Sequence, residues 1–186
     1  MLFTKLTAFF ALAASIQAWV IPEGAANGVY AVTRDADGKD VHTRIDQAES
    51  ALEERDADYK LERRFYGQIF CGCGFTLNRG NTDSAVAKLK AQLGGGAGAV
   101  IPAHQSFYSI TNDVVAFVCS RNDGNGRLPA SVLTPELAAI TSQCGLYIAG
   151  AREIGSRDGA AIVGYQRYKN GDNFCATSTS SSADHC

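Results

Sequence analysis

Apolar residues fall in short runs separated by polar or glycine-rich stretches, and each run predicts one element. Near the start, Lys5 precedes the apolar run Leu6 to Ile16, which ends close to the small residue Ala18. That layout predicts a secretory signal peptide cleaved after Ala18. The run falls short of the about 20 apolar residues that a spanning helix needs, so stable membrane insertion is not expected. Further on, Gly28-Val29-Tyr30-Ala31-Val32 predicts a short strand, followed by a turn at Asp35-Ala36-Asp37-Gly38. Asp46 to Arg63, rich in Ala, Leu, Glu and Arg, suits a helix.

From Tyr66 the pattern changes. Tyr66 to Cys73 predicts a strand, with Cys71 and Cys73 on one face. Thr82-Asp83-Ser84 predicts a helix cap, Val86, Leu89 and Leu93 recur at helical spacing, and Gly94 to Gly96 stop the helix. Val114 to Cys119 is continuously apolar and β-branched, as expected of a strand buried on both faces, and Asn122 to Gly126 reads as a turn. Thr134-Pro135-Glu136 predicts the start of a second helix that ends at Cys144-Gly145. Leu146 to Ala151 and Ala160 to Tyr168 then read as two strands joined through Ile154 to Gly159. The order strand, helix, strand, helix, strand, strand predicts an α+β fold, with two helices on one face of a mainly antiparallel sheet.

Charge divides the chain at the same place. Trp19 to Arg64 carries seven Lys or Arg and eleven Asp or Glu, a net of 7 − 11 = −4, whereas Phe65 to Cys186 carries nine and eight, a net of 9 − 8 = +1. A surplus of one charge gives no electrostatic case for nucleic acid or an anionic membrane. The acidic segment ends in Leu61-Glu62-Arg63-Arg64, which resembles a dibasic site for a subtilisin-like processing protease of the fungal secretory pathway. The expected organisation is a signal peptide over residues 1–18, an acidic pro-segment over 19–64 and a mature domain over 65–186. The pro-segment has too few apolar residues for a core of its own and is expected to be a solubilising or chaperoning leader, largely disordered.

Export changes how the cysteines read. Cys71, Cys73, Cys119, Cys144, Cys175 and Cys186 all follow Arg64, and thiols in an oxidising compartment pair with each other. Six cysteines allow about 15 pairings, among which sequence does not choose. The Ser/Thr-rich tail from Ala176 to Asp184 is closed by Cys186, whose expected partner is a core cysteine, with Cys175 as the alternative.

A hydrophobic strand ending in Cys119, a helix ending in Cys144-Gly145, then Leu146-Tyr147-Ile148-Ala149-Gly150 and Ala161-Ile162-Val163-Gly164-Tyr165, resemble the killer toxins and small cysteine-rich effectors that fungi secrete. The element order is similar to that of the α/β-sandwich killer toxins of smut fungi. The cysteine number and spacing differ from those toxins, so no bridge or contact residue carries across. The resemblance implies a secreted effector or toxin-like protein that binds an extracellular or host target and contributes to virulence. An antimicrobial killer-toxin-like protein and a small secreted hydrolase are the alternatives.

Catalytic chemistry is sparse. The histidines are His42, His104 and His185. His104 is the one candidate general base, yet no Gly-x-Ser-x-Gly elbow accompanies it. Cys71-Gly72-Cys73 with His185-Cys186 could be drawn as a zinc site, but disulfide pairing is the stronger expectation. Gly94 to Gly98 lacks the Lys-Ser or Lys-Thr of a phosphate loop, so no cofactor is expected. Glu136, Glu153, Asp158 and Asp172 are the carboxylates from which a glycosidase pair would have to come. No Asn-x-Ser or Asn-x-Thr acceptor is present. Arg121, Arg127, Arg152 and Arg157 lie near polar loops and are the candidate recognition residues, because arginine is favoured at such surfaces.

Overall fold

Seven consecutive residues, Val114–Ser120, are all buried and form the strand at the centre of the sheet, as the continuous apolar run from Val114 to Cys119 predicts. The computed structural model describes residues 19–45, 65–96, 98–101, 103–121, 124, 126–155 and 161–186. In chain order the elements are β1 (Gly28–Arg34), β2 (Asp40–Ile45), β3 (Phe65–Thr76), α1 (Arg79–Leu93), β4 (Val100–Ile101), β5 (Ser106–Thr111), β6 (Val114–Ser120), β7 (Gly126–Arg127), α2 (Ala130–Cys144), β8 (Ile148–Gly155), β9 (Ala161–Arg167) and α3 (Phe174–Thr177). Seven strands form an antiparallel sheet in the order β2-β1-β5-β6-β9-β8-β3, and β4 pairs with β7 apart from it. The fold is α+β, mainly antiparallel.

Strand alternation divides the core in two. Phe107, Val114, Ala116, Val118 and Val163 face one way and pack with Leu89 and Leu93 of α1 and Leu133 and Ile140 of α2. Tyr108, Ile110, Val115, Phe117 and Ile162 face the other way. Among the described residues no long helix covers this second face. Trp19 and Ile21 from the N-terminal side cover it, together with Phe174 and Cys175 of α3.

Trp19 to Ile45 therefore departs from the expected disordered leader. It supplies β1 and β2, and Trp19, Ile21, Tyr30 and Val32 are buried. The segment has no core of its own because its apolar residues complete the core of the rest. The strand expected at Gly28 to Val32 and the turn at Asp35 to Gly38 are both present, and the Asp35 carboxylate accepts from the Asp37 and Lys39 amides at 3.0 and 2.8 Å. The helix expected over Asp46 to Arg63 lies outside the described residues.

Both helices begin a turn earlier than their sequence signals. In α1 the cap is Asn78, which accepts from the Asn81 amide, while Thr82 donates its hydroxyl to the Asn78 carbonyl at 2.8 Å. In α2 the first turn starts at Ala130, Thr134 donates to the Ala130 carbonyl at 2.8 Å, and Pro135 lies inside the helix. A threonine hydroxyl inside a helix can bond the carbonyl four residues back, so a cap-like residue need not be a cap. Burial of Leu133 holds the first turn of α2 in place. Both helix ends fall as expected, at Gly94 and Gly145, whose amides bond back to Lys90 and Thr141.

The three disulfides are Cys71–Cys144, Cys73–Cys186 and Cys119–Cys175. Cys71 joins β3 to the end of α2, and Cys186 lies close by, its amide bonding the Gln143 carbonyl. Cys73 is exposed, so Cys186 takes a partner at the surface rather than a core cysteine. Cys119 ties the central strand to α3.

Candidate functional site

Where α1 and α2 diverge they leave a cleft of about 250 Å³ above β9. α1 contributes Thr82, Asp83 and Lys90, and α2 contributes Thr134 and Thr141. Tyr165 of β9 forms part of the floor. Its hydroxyl lies 3.0 Å from that of Thr141, whose hydrogen is directed to the Leu137 carbonyl at 3.2 Å. Burial pushes the Tyr165 phenol above its ordinary value, with the Thr141 hydrogen bond pulling the other way, so this floor group stays neutral.

The mouth of the cleft is the turn between α2 and β8. Gly145 ends the helix at φ 99°, Leu146 is 65% exposed, and Tyr147 sits at φ 60°. A left-handed backbone is strained for a bulky side chain, at a cost of order 1–3 kcal/mol. The turn is held from both sides. The Tyr147 carbonyl accepts from the Leu77 amide at 2.8 Å, its hydroxyl donates to Asp83 at 3.3 Å, and the Arg79 guanidinium lies 5.8 Å from its ring centre. The cleft thus offers hydroxyl donors and acceptors, one carboxylate and one ammonium around an aromatic edge. That inventory can hydrogen-bond a polar ligand.

Three of the four candidate arginines turn toward the chain itself. Arg152 pairs with the buried Glu136 at 3.0 Å, Arg121 with Glu153 at 2.9 Å, and Arg127 donates to the Gly98 carbonyl at 3.0 Å. Arg157 lies outside the described residues, as do Asp158, Ala18, Arg63 and Arg64. Asp172 accepts from Gln166 at 2.7 Å and from Thr177 at 3.3 Å. The histidines are dispersed. His42 sits on β2 beside the Tyr108 hydroxyl, His104 in the turn before β5 at φ 54°, and His185 in the C-terminal tail against Asp184. Among the described residues no group of three His, Cys, Asp or Glu side chains is placed to hold a metal.

Sequence reasoning passed over Thr141, Tyr147 and Tyr165. Thr141 and Tyr165 are 24 residues apart and meet only through packing of α2 on β9. Tyr147 follows a helix-ending glycine inside a run that otherwise reads as a strand.

Fold and cleft together define a disulfide-braced α+β protein with a polar cleft between its helices. Comparison with protein families, with curated proteins and with solved structures finds no match.

Proposed function

We propose that the protein is exported, processed after Ala18 and Arg64, and acts outside the producing cell as an effector that contributes to virulence by binding a host target. The contact surface in this reading is the interhelical cleft with the Leu146-Tyr147 turn at its mouth. The observation that carries it is the turn itself, where a tyrosine is held at φ 60° beside a leucine that is 65% exposed. Strain maintained by several contacts at a cleft mouth is characteristic of functional positions. Three disulfides support an extracellular working place, since such bonds persist in oxidising compartments. Among the described residues no helix is long and apolar enough to cross a membrane.

The test is genetic. Deleting the coding sequence from the producing organism is expected to reduce infection, and the wild-type sequence to restore it. A Leu146→Asp/Tyr147→Gly variant, secreted at the same level, is expected not to restore it. Full restoration by that variant would remove the cleft from the account. A deletion strain that infects normally but no longer suppresses competing microbes would move the target from host to competitor.

A further inference from the structure

The three disulfides join residues within 71–186, and Trp19 to Arg64 contains no cysteine. The N-terminal strands are thus an integral part of the sheet that no covalent staple holds. Their seating is extensive. β1 lies between β2 and β5, with Gly28 to Val32 registered against Ile110 to Ser106. Tyr30 stacks on Tyr108 with ring centres 4.9 Å apart. Asn27 and Asn112 clamp the end of the pairing, the Asn112 amide donating to the Asn27 side chain at 2.7 Å and the Asn27 amide group to Asn112 at 3.0 Å. The arm before β1 is tied to the other end of the chain. Ile21 and Asp172 bond at 3.1 Å, Gly171 and Ile21 at 3.1 Å, and Val20 bridges to Asn173.

No pairing in the sheet is a hairpin through the connection between β2 and β3. β2 and β3 are the two opposite edges of the seven-stranded sheet, roughly 29 Å apart at about 4.8 Å per strand spacing. A cut between them opens no hairpin and separates no paired neighbours.

We propose that the working protein is two chains: once cut between β2 and β3, the segment carrying Trp19 to Ile45 remains bound to β5 and the second sheet face as a noncovalent subunit. This rests on the processing after Arg64 proposed above. Its removal would leave β5 as a bare edge and uncover apolar side chains of the second core, among them Tyr108, Ile110, Phe117 and Phe174, and a contiguous exposed apolar patch marks an interaction surface. The segment is thus a structural partner of the 65–186 body, and binding studies with the body alone would use an incomplete molecule.

The experiment starts from the full secreted chain, treated with a dibasic-specific subtilisin-like protease. Denaturing mass spectrometry reads whether the cut occurs, and native mass spectrometry and size exclusion read whether the fragments stay together. Expected are two masses under denaturing conditions and one complex of 19–64 with 65–186 under native ones. Release of the 19–64 fragment, or aggregation of the body on cutting, would overturn the proposal. If the protease leaves Arg63-Arg64 intact, the processing reading fails. A specific protease site substituted within residues 46–64 then tests retention by itself. Tyr30→Ala is expected to remain folded before cutting and to weaken retention afterwards on the order of a hundredfold, as truncating a buried aromatic does. Equal retention in Tyr30→Ala and wild type would show that the buried face does not hold the segment.

Discussion

Glu136 and Arg152 are the one oppositely charged pair in which both side chains are largely buried among the described ion pairs, 3% and 13% exposed. Such a pair is costly to desolvate and more costly to break. Arg152→Ala leaves a carboxylate in the interior beneath α2 and is expected to destabilise by about 3–5 kcal/mol. Replacing both residues, as Glu136→Leu/Arg152→Met, is expected to recover most of that loss. Denaturant unfolding of the three proteins checks it, and equal losses in single and double variants would contradict the pairing. His42 makes a second residue-scale argument. Burial pushes its imidazole below the ordinary 6.5, against an opposing pull from Asp40, and its Nδ1 lies 3.0 Å from the Tyr108 hydroxyl. Folding therefore favours the neutral ring. Its contribution is complete above about pH 6.5 and is lost as pH falls through the lower folded-state value. The β1 and β2 amides are expected to exchange faster in acid than the β6 amides do, and His42→Asn to remove that difference. Acid protection of β1 would reverse the sign and refute it.

At the scale of elements, close approach of α2 to the sheet depends on Gly150 of β8. A Cβ there would stand 2.5 Å from a methyl carbon of Ile140 and 3.1 Å from the sulfur of Cys144. Gly150→Ala must displace α2 or twist the Cys71–Cys144 bridge, and is expected to cost about 1–3 kcal/mol. Thermal unfolding measures it, and an unchanged midpoint would mean that the helix sits less tightly than its contacts indicate. The same elements show what the sequence made legible. β6, the ends of both helices and the β8–β9 hairpin could be read because continuous apolar runs and terminal glycines speak locally. β5 was not read. Its Ser106 and Ser109 are buried by strands on both sides, and polar residues hide a strand whose burial comes from its neighbours. β2 was missed because it is an edge strand with exposed positions. The helix starts were misplaced because Thr82 and Thr134 bond backward inside the helix. The cleft was invisible for a related reason, since Thr141, Tyr147 and Tyr165 acquire meaning only when α2, its turn and β9 pack together.

At the scale of the whole molecule, the two edges of the seven-stranded sheet, β2 and β3, are treated differently. β2 presents Asp40 and Arg44 along its length, and charged side chains discourage pairing with another chain. β3 carries Cys71, Gly72 and Cys73, which would make a poor barrier. The C-terminal tail covers it instead, with the Cys71 amide bonding the Ala183 carbonyl at 2.7 Å and the Ser181 hydroxyl bonding the Cys71 carbonyl at 2.7 Å. The Cys73–Cys186 bridge fastens the tail in that position across 113 residues of chain. A polar Ser/Thr sequence that could not pack by itself thus becomes an edge cover because its last residue is tethered. Cys73→Ser/Cys186→Ser is expected to act in two ways. Because the Cys71–Cys144 bridge shortens the loop that Cys73–Cys186 closes, the chain-entropy description gives a loss of about 4 kcal/mol. The freed tail should also expose β3 and cause self-association that rises with protein concentration. Thermal unfolding separates the first effect from the second, which sedimentation at increasing concentration reads. A variant that is less stable yet monomeric would retain the tail on β3 through its backbone bonds alone. A variant unchanged in both respects would show that the bridge neither stabilises the chain nor guards its edge.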